Sequence, residues 1–185
     1  MKRLFIALPI PESTTSEIET FLQPYKDHPK LKAAKWVEAK HMHVTALFLG
    51  EVSDPLLPEI IELTRGVCGR MQHFELIPTG VSCFPGKNRA KMVWYRYQNS
   101  LAFEEFVNEL KKYLTPAEPA LAEEEKDPIP HVTLARLKET IDPKVISFQG
   151  KPWPQLVVNE AILFESVMSP EGSEYKILER FPYGF

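Results

Sequence analysis

A tripeptide occurs twice in this chain in the same setting: His43-Val44-Thr45 within MHVTALFLG, and His131-Val132-Thr133 within PHVTLARL. Val and Thr are β-branched and favour strand, where residues two apart point to one face. Each copy therefore sets an imidazole and a hydroxyl side by side and turns its Val to the other face. Two copies restrict the fold, because strands that meet would gather two imidazoles and two hydroxyls at one place. An imidazole pair near neutral pH supplies one general base and one general acid. A single strand histidine is more often just a satisfied polar group; the repetition lifts this pair above that reading.

The surrounding elements repeat too. A strand at Leu4–Leu8 and a helix from about Ser13 to Leu22, with Ser13 and Glu17 near a capping position, precede short strands at Lys35–Val37 and His43–Phe48. The spacing of Leu56, Ile60, Leu63 and Val67 predicts a helix over about Pro55 to Val67. Strands are expected near Phe74–Pro78, Gly80–Phe84 and Lys91–Tyr97. A helix follows over Ser100–Leu114, with Leu101, Phe103, Phe106, Val107 and Leu110 facing inward. Beyond the second motif come a short helix near Pro143–Phe148 and strands near Leu156–Val158, Glu160–Ser166 and Tyr175–Phe181. Strand, helix and His-Val-Thr strand thus recur in order, with the two histidines 88 residues apart in a chain of 185. Interspersed helices and hairpin-like strand pairs imply an α+β fold of antiparallel sheets. The expectation is one domain over residues 1–185, a duplicated two-lobed unit with the motifs across a central cleft, where ligand sites are usual.

A net charge of −3 and a pI near 6.0 argue against bulk binding of duplex nucleic acid, which needs a broad basic face. They leave room for a single phosphate at a strand end. Cys68 and Cys83 stand apart with no CxxC, and read as buried thiols of a reducing cytoplasm. No apolar run approaches membrane-spanning length. MKRLFIALPIP has the look of a signal peptide, but its apolar part is short and Pro9, Pro11 and Glu12 follow, so a first strand is the better reading.

With those residues in view, the chain resembles the 2H phosphoesterase superfamily. KWVEAKHMHVTALFLGEV is similar to the family's aromatic-Val pair, His-x-Thr strand and FLG, and PHVTLARL matches the second motif. The C-terminal block ILFESVMSPEGSEYKILERFP resembles the RNA 2′,3′-cyclic phosphodiesterase branch, historically called 2′-5′ RNA ligases. Two departures are Ala46, where a bulkier Leu is common, and the acidic stretch Glu123-Glu124-Glu125-Lys126-Asp127. The resemblance implies a substrate, RNA or nucleotide, ending in a 2′,3′-cyclic phosphate and hydrolysed to a 2′-phosphate, with ligation as the related reaction. It implies His131 as proton acceptor for water, His43 as donor to the leaving O3′, and Thr45 and Thr133 as donors to the non-bridging oxygens. No metal or cofactor is required, and a cytoplasmic monomer is expected.

Secondary candidates follow from the residues. Arg136 lies three after Thr133, so simple alternation aims it away from the motif; only a strand end or a bulge would turn it inward as a phosphate or substrate contact. Phe48, three after Thr45, meets the same objection and is expected in the core. Phe5 and Trp36 are candidates for stacking on a base, with core packing the commoner use. Lys87, Asn88, Arg89 and Lys91 form the densest basic loop, suited to steering phosphates or to a solvated turn. Tyr175 and Ser166 belong to the matched C-terminal block without an assigned role. Two rivals remain: a three-His metal hydrolase using His41, His43 and His131, which leaves both threonines unexplained, and a non-catalytic module that binds nucleotide or RNA ends, which has no need of two titrating groups.

Overall fold

The run Leu4-Phe5-Ile6-Ala7-Leu8 is buried at every position, the mark of a strand covered on both faces. It lies in β1 (Lys2–Pro9), hydrogen-bonded on both edges, which is the strand reading of the N-terminus. The computed structural model describes every residue except 87–88, 119–120, 122–127, 151–152, 170–171 and 185. After β1 come α1 (Glu12–Lys26), β2 (Lys35–Trp36), β3 (His43–Val52), α2 (Leu57–Cys68), β4 (Phe74–Leu76), β5 (Pro78–Phe84), β6 (Ala90–Tyr97) and α3 (Leu101–Leu114). The chain ends with β7 (His131–Ile141), β8 (Leu156–Val158), β9 (Glu160–Ser169) and β10 (Gly172–Pro182). The fold is α+β.

The main sheet is antiparallel in the order β10-β9-β1-β3-β7-β6-β5, with β2 also on β7. β4 and β8 pair separately. The two halves of the main sheet meet where β3 and β7 share a single registered pair, Val44 with Val132. Beyond it the strands part, and β2 takes the β7 edge at Ala135 and Arg136.

The helices supply the core behind that junction. α3 places Phe103, Phe106, Val107, Leu110 and Leu114 on one buried stripe, at the spacing of a helix face. They join Val44 and Val132 in one apolar cluster. Leu101, expected inward, is instead 79% exposed: it is the first residue of α3, and the buried stripe begins at Phe103. Its cap is Ser100, whose hydroxyl accepts from Phe103 N–H at 3.3 Å, an ordinary N-cap bond. α1 departs from expectation: it begins at Glu12 behind Pro11, without a side-chain cap, so Ser13 lies inside it. The short helix expected at Pro143–Phe148 is one 3-10 turn, Pro143–Val145. Cys68 and Cys83 are free and buried, and burial pushes the Cys68 thiol up to about 12. Among the described residues no helix is long and apolar enough to cross a membrane.

Candidate active site

The Val44–Val132 pair sets the geometry. Both valines are fully buried beneath the sheet, so the residues on either side of each, His43 and Thr45 on β3 and His131 and Thr133 on β7, alternate to the opposite face. All four are partly exposed there. One antiparallel junction thus collects both motifs, related by the approximate twofold symmetry through the valine pair.

Each imidazole is anchored in the same way. His43 Nδ1 lies 2.7 Å from the His41 carbonyl oxygen, and His131 Nδ1 lies 2.7 Å from that of Ile129. A carbonyl only accepts, so Nδ1 donates in both rings and Nε2 carries the lone pair when the ring is neutral. His43 Nε2 is 3.1 Å from Thr45 Oγ1, and in the neutral ring it accepts from that hydroxyl. The environments then diverge. Trp94 stacks on His131 with ring centroids 3.6 Å apart at 21°, and Phe84 covers the other face of Trp94 at 3.5 Å. His43 is enclosed by Phe5 at 5.0 Å, Tyr175 edge-on at 5.3 Å and Phe164 at 6.0 Å.

Burial dominates the electrostatics. It pushes His43 down to about 4, helped by repulsion from His131 and His41 and opposed by the His41 carbonyl. His131 is also lowered, first by burial and then by the Arg96 charge, against the Ile129 carbonyl. Both shifts favour the neutral ring in the protein alone. Arg96 lies opposite His131 in the β6–β7 register, and its buried Nε has no partner among the described residues.

The parity argument against Arg136 and Phe48 is overturned by a pair of bulges. Consecutive Trp94 and Val93 face Thr133 and Ala135, so Leu134 is an extra residue in β7. Likewise Ala7 and Ile6 face Thr45 and Leu47, making Ala46 the extra residue in β3. An inserted residue reverses the alternation beyond it, returning Arg136 and Phe48 to the face that carries the threonines. Arg136 is exposed there and lines a cleft beside the motifs. Phe48, expected in the core, is 54% exposed.

Of the two aromatics considered for base contacts, Phe5 is 2% exposed, a core residue beneath His43, while Trp36 lines the same cleft as Arg136. Lys87 and Asn88 of the basic loop, and residues 123–127 of the acidic stretch, lie outside the described residues. The His41 ring packs on Tyr175 at 5.0 Å, and no three His, Cys, Asp or Glu side chains converge as metal ligands among the described residues. Sequence reasoning missed Trp94, Phe84 and Arg96, which no motif singles out. Tyr175 stood in the matched C-terminal block, but only pairing of β10 through β9 and β1 carries it to His43.

Comparison with known proteins bears on the family and the fold. A family model described as LigT like Phosphoesterase matches residues 8–95. An RNA 2′,3′-cyclic phosphodiesterase of Thermotoga maritima is 30% identical over 183 residues, covering 95% of this chain and 92% of its own. One of Methanocaldococcus jannaschii is 26% identical over 185 residues, covering 97% and 99%. Among solved structures, a Thermus thermophilus protein superposes with a TM-score of 0.79 at 24% identity, covering 98% of each chain. Escherichia coli LigT complexed with NADP+ gives 0.73 at 23%, covering 100% and 99%. These two likenesses concern the fold.

Proposed function

The chain belongs to the LigT-like phosphoesterase family, as an enzyme of the RNA 2′,3′-cyclic phosphodiesterase kind, and we propose that it opens 2′,3′-cyclic phosphate ends of RNA to 2′-phosphates by metal-independent acid–base catalysis. The observation that carries this reading is the pair of imidazoles on one face, each fixed through Nδ1 with Nε2 left for proton transfer. His131 Nε2 takes a proton from water as the water oxygen bonds to phosphorus. The P–O3′ bond breaks, and O3′ receives the proton of His43 Nε2, so the phosphate stays on O2′. Thr45 and Thr133 donate to the non-bridging oxygens, where charge builds up. With an RNA 5′-hydroxyl in place of water, the same step forms a 2′-5′ linkage. Residues 1–185 act together as one two-lobed domain.

The acid role requires a charged His43, which burial opposes. The substrate phosphate supplies the remedy: one negative charge at about 4 Å, at an effective dielectric near 20, attracts by about 4 kcal/mol, enough to offset the burial penalty. Catalytic charging is therefore conditional on the substrate anion.

The test is end-group analysis of an RNA terminating in a 2′,3′-cyclic phosphate, with and without chelator. We expect 2′-phosphate in both. A 3′-phosphate product, chelator-sensitive turnover, or binding without turnover would each overturn the proposal.

A further inference from the structure

The cleft lined by Arg136 lies beside the motifs, with His41 in its wall and none of the four motif residues. Its volume is about 220 Å³, below the 300–1,000 Å³ of drug-sized sites, so it admits one ring system rather than a whole dinucleotide. Three aromatic side chains, Trp36, His41 and Tyr175, line it with three cations, Lys35, Lys40 and Arg136. They converge from separate places in the fold: Lys35 and Trp36 on β2, Arg136 on the bulged β7, His41 on the turn before β3, and Tyr175 on β10. Two carboxylates, Glu38 and Glu174, also line it, and Glu38 is held by Lys40 at 3.1 Å. The balance is one positive charge in excess. The indole Nε1 of Trp36 is buried without an acceptor among the described residues, an unusual state for an indole N–H.

This cleft borders the catalytic residues through Tyr175 and His41, which both line it. Tyr175 contacts both the His43 ring, at 5.3 Å, and the His41 ring, at 5.0 Å, so an occupant of the cleft lies one side chain from His43. Aromatic faces with cations alongside are how proteins hold single-stranded nucleic acid, the rings taking bases and the cations the backbone. We propose that this cleft is a nucleotide subsite that takes the nucleoside preceding the cyclised one, making a single-stranded RNA end, rather than a free cyclic mononucleotide, the preferred substrate. The inference rests on the cyclic-phosphate reading above. Trp36 supplies the stacking face, and Lys40 is the cation assigned to the linking phosphodiester.

Binding and turnover are measured together. Calorimetry compares a 2′-phosphate-terminated RNA trinucleotide with the matching nucleoside 2′-phosphate, and kinetics compare the corresponding cyclic phosphates. Wild type is expected to favour the trinucleotide about tenfold, the scale of one stacked base. Trp36→Ala should erase most of that preference through KM rather than kcat, and Trp36→Phe should restore most of it. Lys40→Glu, at an exposed position that does not threaten folding, should reduce the preference several-fold and weaken its salt dependence. Turnover with no trinucleotide preference, or a preference indifferent to Trp36 and Lys40, overturns the subsite. Equal losses on both substrates also overturn it, since they place Trp36 at the terminal nucleotide or in the fold. A preference in binding that falls in these variants, without turnover in wild type, upholds the subsite and refutes the catalytic reading instead.

Discussion

If the substrate anion charges His43, anion binding must take up a proton, and sulfate isolates that effect because it stays a dianion across the working range. Burial lowers His43 from 6.5 to about 4, a penalty of about 3 kcal/mol against charging. In the free protein only about one ring in a thousand is charged at pH 7. A single negative charge at about 4 Å returns about 4 kcal/mol, and the second charge of sulfate adds to it, so in the complex His43 titrates at or above its ordinary value. Between these two limits the anion binds only with a proton. Sulfate affinity should therefore fall by up to tenfold per pH unit from about pH 5 to about pH 7. Calorimetry in buffers of different ionisation enthalpy should show close to one proton taken up per sulfate. His43→Gln should bind sulfate more weakly and lose most of the slope. Affinity flat with pH in wild type would refute the argument that the anion charges the ring. A slope that survives His43→Gln but disappears in His131→Gln would show that His131 takes the proton, exchanging the acid and the base.

Two further predictions separate the histidines. Protonation matters most for a strongly basic leaving group such as ribose O3′ and little for a nitrophenolate; His43→Ala should lose at least about 10²-fold on the cyclic phosphate yet recover much of it on a nitrophenyl phosphodiester, while His131→Ala stays poor on both. Equal losses on both substrates, with the fold intact, would defeat the role assignment. Because Trp94 lies face to face with His131, its fluorescence should fall as that ring gains a proton, with a midpoint below 6.5 that Arg96→Gln moves upward by removing a repulsive charge. A midpoint unmoved by Arg96→Gln, or a signal unaffected by His131→Gln, would disprove the coupling.

Much of the fold was legible because its signals are local. The helical stripe of Phe103, Phe106, Val107, Leu110 and Leu114, and the continuous apolar run of β1, each report burial directly through spacing. What failed lay at ends: Ser13, expected near the cap, lies inside α1, which also runs past Leu22 to Lys26, and the first residue of α3 projects into solvent although it is Leu101. Phe48 and Arg136 failed for another reason. Their side depends on whether a strand holds one extra residue, and alternation carries no mark of a bulge. Both β3 and β7 show the same burial sequence over His-Val-Thr and the three residues that follow. The bulge therefore belongs to the duplicated unit, and an exception allowed once in the sequence is made twice in the fold.

The same duplication explains why two imidazoles were legible and their difference was not. The motifs are identical, and so are the local consequences they impose: buried Val, Nδ1 donating to the carbonyl two residues earlier, Nε2 on the shared face. Everything that distinguishes the rings comes from partners distant in sequence. His131 receives Trp94 and Arg96 from β6, which fix its plane and oppose its charge. His43 receives Tyr175 from the last strand and sits in the more strongly depressed environment. In the protein alone both effects favour neutral imidazole, the form a base requires. On the proposed roles an acid is created only when an anion arrives, and the division of labour then belongs to the complex. That places the decisive asymmetry in how each Nε2 meets the substrate. Thr45 already holds the His43 Nε2 at 3.1 Å, and charging that ring converts its Nε2 from acceptor to donor. The Thr45 O–H can then no longer donate to Nε2 and is released toward a phosphoryl oxygen, so that on the proposed roles protonation of His43 and engagement of Thr45 with the substrate become a single event.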